Sequence, residues 1–209
     1  MEHLATLLQT RFEQEGLDLD LSVEDDSIQL NHGGSTLHIS KDAVRRPRLV
    51  IHDMILPGDG TEVDQSLNRW FDSLQGGSAP LIEEGLRYWV SADEVVSAVY
   101  RLMVGGGVLP DVMHICGRRG LTHAETLAEF SVLMRRTLRI KADGVQIEDL
   151  VPMDSSMESS SRNTRPDLAP LHGALISAGM PDGWRPMYGV GVALMQWLAW
   201  RLEEHEGVL

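Results

Sequence analysis

The chain has 209 residues and a formal net charge of -13, with 43% hydrophobic and 23% charged residues. That composition excludes wholesale disorder and fibrous classes, and the length suits one sizeable core or two small ones. The acidic balance, with a pI near 4.9, repels phosphate backbones and anionic lipid surfaces, so neither nucleic acid nor a membrane is an expected partner.

Leu4, Leu7, Leu8 and Phe12 recur at helical spacing ahead of Gly16, which predicts a first amphipathic helix. Leu19, Leu21 and Val23 alternate with acids; Ile28 and Leu30, then Leu37 and Ile39, alternate again across turns at Asp25-Asp26 and His32-Gly33-Gly34. This is the pattern of a three-stranded antiparallel meander. Arg48 to Leu56 is a near-continuous apolar run that reads as a more buried fourth strand, ending at Pro57-Gly58-Asp59-Gly60.

From Glu62 the period becomes helical through Val63, Leu67, Trp70, Phe71 and Leu74. Ser91 with Glu94, and Thr122 with Glu125, have the spacing of capping boxes ahead of two further helices. Gly105-Gly106-Gly107 stops the first of these, and Val108 to Cys116 reads as a strand. Leu138 to Val151 alternates about Ala142-Asp143-Gly144 like a hairpin. A polar stretch follows, then a short helix through Leu168, Leu171, Leu175 and Ile176 and a last helix over 188–201 that is apolar on most of its circumference.

The expected fold is α+β: an antiparallel sheet of about four to six strands with helices on one face and a C-terminal helical segment. The expected division is a main domain over 1–152, a linker over 153–166 and a helical segment over 167–209 packing on the main domain. An amphipathic helix ending at Gly16-Leu17, followed by three short strands in an acidic setting, resembles in layout the start of the small acidic chaperones of type III secretion. The resemblance covers about the first quarter of the chain.

Chemistry-bearing residues are scattered. His114, Cys116 and His123 offer three potential zinc donors at irregular spacing, where a structural site takes four. The single cysteine, Cys116, cannot form an internal disulfide and reads as a buried thiol. His52 and Asp53 close a buried strand, but neighbouring strand residues point to opposite faces. Arg45, Arg46 and Arg48 form a compact basic patch better suited to internal pairing or an interface rim than to nucleic acid.

Residues 1–42 carry nine carboxylates against Arg11 and Lys41, and Trp184, Trp197 and Trp200 crowd the C-terminal end. The sequence therefore reads as a non-enzymatic, cytoplasmic protein-binding protein of the chaperone, immunity or adaptor kind. Asp20, Glu24, Asp25, Asp26, Trp184, Trp197 and Trp200 would meet a partner with a basic surface. No catalytic residue, metal or cofactor is expected, and self-association is possible. A second reading is a small enzyme assembled around His52, Asp53, His114 and Cys116; a third is a self-associating scaffold or phage structural protein.

Overall fold

The computed structural model describes residues 1–24, 27–40, 44–138, 151–152 and 164–206. They form two compact units, each drawn from three stretches of chain: Met1–Met54, Val90–Arg118 and Pro166–Met187 in the first, Ile55–Trp89, Arg119–Arg165 and Tyr188–Leu209 in the second. The Asp25-Asp26 turn, the Ala142-Asp143-Gly144 turn and most of the expected linker lie outside the described residues.

The first unit opens with α1 (Glu2–Gln14), which buries Leu4, Leu8 and Phe12 on the predicted face. Strands β1 (Asp20–Glu24), β2 (Ser27–His32) and β3 (Ser35–Ile39) form the antiparallel meander. Here the sheet departs from expectation. Strand β4 (Arg48–Ile51) lies parallel to β3, and β9 (Val112–Ile115) lies parallel to β4, giving a mixed five-stranded sheet in the order β1-β2-β3-β4-β9. The antiparallel sheet is thus corrected to a mixed one, in an α/β setting. Strand direction depends on the route of the connection, and eight residues (40–47) carry the chain from β3 to β4, fewer than most parallel crossovers use.

The apolar run after Arg48 does not stay in one strand. Asp53 turns the backbone at φ 48°, and β5 (Met54–Ile55) is a separate short strand. Further along the first unit come β8 (Val90–Ser91), α3 (Ala92–Val104) and α5 (Ala169–Ser177). Helix α3 packs on α1, α5, β2 and β3, while α5 also packs on β9. Register pairs share a sheet face: Ile28, Ile39, Leu49 and Met113 line up across four strands and Leu30 and Leu37 across two, and all six are at most 2% exposed. The opposite face carries His38, Arg48, Val50, Val112 and His114, in the alternate register positions.

The second unit contains α2 (Glu62–Gln75), α4 (His123–Leu138) and α6 (Val190–Glu206), with short strands β6 (Leu81–Ile82) and β11 (Val151–Pro152) in one parallel pair and β7 (Leu86–Arg87) and β10 (Leu121–Thr122) in an antiparallel pair. Its core gathers Leu67, Trp70, Phe71, Leu127, Phe130, Leu194, Trp197 and Leu198. Phe71 and Phe130 meet Trp197 edge-on at centroid distances of 6.3 and 5.7 Å, the arrangement that aromatic quadrupoles favour.

Close backbone approach explains one glycine. A methyl group on Gly105 would meet the Ala178 Cβ at 2.4 Å and its Cα at 2.6 Å, whereas Gly106, at φ 65°, faces open space. Gly105→Ala should therefore destabilise the first unit by about 2–3 kcal/mol through overpacking, and Gly106→Ala by about 1 kcal/mol through backbone strain. Urea denaturation of the two variants checks this, and equal costs would remove the α3–α5 approach as the reason for glycine at 105.

Candidate functional site

In open α/β sheets, ligands are met outside the carboxyl ends of parallel strands. In the first unit that edge belongs to β3, β4 and β9, and two histidines converge on it at β4 and β9. His114 stands opposite Val50 in the ladder, and His52 follows β4 with its amide donating to the Ile115 carbonyl at 3.0 Å. Two residues beyond Val50, the His52 side chain returns to the His114 face. The rings meet with His52 Nε2 2.9 Å from His114 Nδ1. Such a contact holds only while one facing nitrogen carries a proton and the other does not. One proton therefore lies between the two half-buried rings, and the tautomers of both are fixed together.

The surroundings bias the protonation of His114. Burial holds the His114 pKa below the ordinary histidine value; the neighbouring Arg48 guanidinium lowers it further, and Asp167 opposes both. Asp167, just before α5, also accepts from the Ala169 amide at 2.9 Å. On the same sheet face, His38 is lowered by burial and by Arg45, with Glu24 acting in the opposite sense.

Of the enzyme residues singled out from sequence, the structure brings His52 and His114 together. Asp53 is the left-handed turn residue that lets β4 end, and its carbonyl accepts from the Val90 amide at 3.2 Å. Cys116 is wholly buried, and its carbonyl takes the Trp184 indole N–H at 2.8 Å. Arg45 and Arg46 pair with Glu24 and Asp111, each at 2.5 Å. Arg48 and Asp167 were not singled out as site residues, because their proximity to His114 arises only when β4, β9 and α5 pack.

His123 belongs to the second unit. It is 3% exposed, and its Nε2 receives the Arg87 Nε–H at 2.9 Å, with the Trp70 and Trp89 rings beside it. Arg87 also reaches Glu62 at 2.7 Å and Glu83 at 3.1 Å. No group of three His, Cys, Asp or Glu side chains placed to hold a metal ion occurs among the described residues.

The residues expected to meet a protein partner are placed as follows. Asp20 accepts from Asn31 at 3.1 Å at the start of β1, and Glu24 is bound to Arg45; Asp25 and Asp26 lie outside the described residues. Trp184 is 6% exposed and Trp197 has no exposed surface, while the Trp200 ring lies tilted beside Trp197 with centroids 6.5 Å apart.

A second polar cluster went unread in the sequence. Asp64, 5% exposed, accepts at Oδ1 from the Gly58 amide (3.2 Å) and the Trp197 indole N–H (2.7 Å), and at Oδ2 from the Gly60 amide (3.3 Å). Thr61, the N-cap of α2, stands three residues before it, so the spacing of a capping box was present as a signal. Beside it, burial raises the Asp59 pKa, against the hydrogen bonds Asp59 accepts from Thr61, and Asp64 adds to the rise.

No family model matches the chain, and no curated protein matches it in sequence. Solved structures do share the fold. A UDP-N-acetylglucosamine 4-epimerase from Methanobrevibacter ruminantium, in complex with UDP-N-acetylmuramic acid, superposes with a TM-score of 0.54 at 13% identity over 75% of this chain and 46% of that one. A dTDP-glucose 4,6-dehydratase from Bacillus anthracis, in complex with NAD, gives 0.54 at 14% identity over 76% and 45%. The Bordetella bronchiseptica enzyme WbmH, in complex with NAD+, gives 0.52 at 13% identity over 75% and 45%. The chain spans less than half the length of these proteins.

This likeness corrects the functional expectation. The layout taken from type III secretion chaperones ends with the meander, since β3, β4 and β9 continue as a parallel sheet. The non-enzymatic chaperone, immunity or adaptor reading is overturned by a fold shared with an epimerase and a dehydratase. The acidic N-terminal region had carried that reading, yet charge reports on solubility and association and not on fold. As for membranes, no helix among the described residues is long and apolar enough to cross one.

Two outcomes follow from this geometry. Because the folded His114 pKa lies below its unfolded value, the unfolded chain binds the extra proton, so stability is fully present at neutral pH and falls as pH drops below about 6.5. His114→Gln should shrink the difference in urea midpoint between pH 7.5 and 5.5 relative to the parent chain. In the second unit, Trp197→Phe strips one donor from the buried Asp64 carboxylate and should cost about 1.5–3 kcal/mol, read from chemical denaturation at constant m-value.

Proposed function

We propose that this chain is a small-molecule enzyme of the cytoplasm whose acid–base centre is the His52–His114 pair, acting on a polar substrate of the sugar-nucleotide kind. The observation that carries the reading is the 2.9 Å contact between two imidazoles at the carboxyl edge of adjacent parallel strands. The substrate class is supported by the fold shared with sugar-nucleotide epimerases and dehydratases, an argument by analogy of scaffold.

Each residue has a definite task in this reading. A histidine held neutral near pH 7 by burial and by Arg48 is a base toward a substrate hydroxyl. His52, joined to it through the shared hydrogen, orients the ring and carries the proton onward. Asp167 stabilises the imidazolium that forms, since it is the carboxylate that raises the His114 pKa.

The test is an NMR titration of the imidazole protons with a panel of UDP- and dTDP-sugars. At least one ligand is expected to shift the His52 and His114 signals, saturably, while leaving His123 unmoved. His52→Gln should abolish the shift and any turnover of that ligand, at unchanged thermal stability within about 1 kcal/mol. A panel that leaves both histidines unmoved defeats the proposal.

A further inference from the structure

Dinucleotides are held in α/β enzymes by a glycine-rich turn between a strand and a helix, whose open amides and helix dipole receive the pyrophosphate. Two of the similar structures hold NAD, so the fit of such a group to this chain is a physical question. One turn has the appropriate outline: Gly58-Asp59-Gly60 lies between β5 and α2, with both glycines at φ 68°. A third glycine is missing, its place taken by Val63, which is 8% exposed.

Four amides of this turn and of the start of α2 already have acceptors within the chain. Those of Gly58 and Gly60 donate to Asp64, that of Thr61 donates to Asp59 at 2.9 Å, and that of Asp64 donates to the Thr61 hydroxyl. The Trp200 ring rests on Gly58, with its Cζ2 2.6 Å from where a Cβ would stand, covering the backbone that a pyrophosphate would have to approach. A phosphate here would meet the Asp59 and Asp64 carboxylates and a tryptophan face.

Helices α3 and α4, which also follow strands, start with side-chain caps as well. At α3 the Ser91 hydroxyl accepts from the Glu94 amide at 3.3 Å, and the Glu94 carboxylate takes the Met187 amide. At α4 the Thr122 hydroxyl accepts from the Glu125 amide at 3.1 Å, and the Glu125 carboxylate returns to the Thr122 amide at 2.8 Å. Even at α6, which follows no strand, the Glu129 carboxylate stands beside Gly191 in the first turn. The starts of α2, α3 and α4 thus present the chain's own oxygen acceptors where a cofactor would place its own.

We infer that Asp64 is a built-in anion, filling the site that this kind of turn offers to a phosphate, and that the chain keeps the fold without binding a nicotinamide dinucleotide. The Asp64 oxygens take two turn amides, and the Trp197 indole N–H supplies a third donor from α6. The inference is independent of the His52–His114 reading. It removes hydride transfer to a bound nicotinamide from the chemistry available, and leaves proton transfer.

Two measurements on the full chain test it. Titration with NAD+, NADH, NADP+ and NADPH, read by calorimetry and by energy transfer from tryptophan to the reduced nicotinamide, is expected to show no saturable binding. A Kd tighter than about 100 µM for any of the four overturns the inference. In the second measurement, Asp64→Ala exposes the emptied donors to added sodium formate or phosphate, compared with chloride at matched ionic strength. The variant's Tm is expected to rise with formate or phosphate by several degrees more than that of the parent chain. An equal response in the two proteins, or a variant as stable as the parent, overturns the role of Asp64. Should Asp64→Ala not fold in chloride, recovery of its cooperative unfolding transition in formate supports the inference and absence of recovery counts against it.

Discussion

A single buried carboxylate organises the second unit. Asp64 holds two glycine amides of the turn before α2 and the indole N–H of Trp197 on α6. A buried carboxylate without such donors would cost several kcal/mol, so turn, helix and indole are mutually obligatory. The tryptophan that satisfies the charge is also a centre of the apolar core, touching Phe71 and Phe130. Polar satisfaction and close packing therefore depend on one another: displacing α6 would strand the charge, and moving the turn would strand the indole N–H.

The first unit solves a different problem. Its sheet buries an aliphatic stripe on one face, Ile28 through Met113, and leaves His38, Arg48 and His114 on the other. Ionisable groups on a half-covered sheet face near the carboxyl edge of parallel strands are costly as architecture and valuable as chemistry. The His52–His114 contact is the product of that arrangement. Its bias toward the neutral form comes first from burial, then from Arg48.

These two centres divide the meaning of the shared fold. The likeness to sugar-nucleotide epimerases and dehydratases concerns backbone architecture, over less than half the length of those chains. At the points where α2 and α4 begin, carboxylates and hydroxyls of the chain itself occupy backbone amides. Fold and function are separable for this reason: the scaffold is set by the apolar stripes, whereas ligand choice is set by a few polar groups at the junctions.

The sequence by itself determined the helices and the meander. The apolar period of α1, the Ser91 and Thr122 caps and the alternation in β1 to β3 are signals confined to a dozen residues, and the backbone obeys them locally. Sequence also marked His52 and His114 individually, but set them beside Asp53 and Cys116, their chain neighbours. Tertiary structure alone decided the direction of β4, the pairing of imidazoles 62 residues apart and the meeting of Asp64 with an indole 133 residues away. The physical reason is that side-chain alternation is the same in parallel and antiparallel strands, and a hydrogen bond across such separations leaves no periodicity in the chain; it exists only once burial has brought both partners out of water.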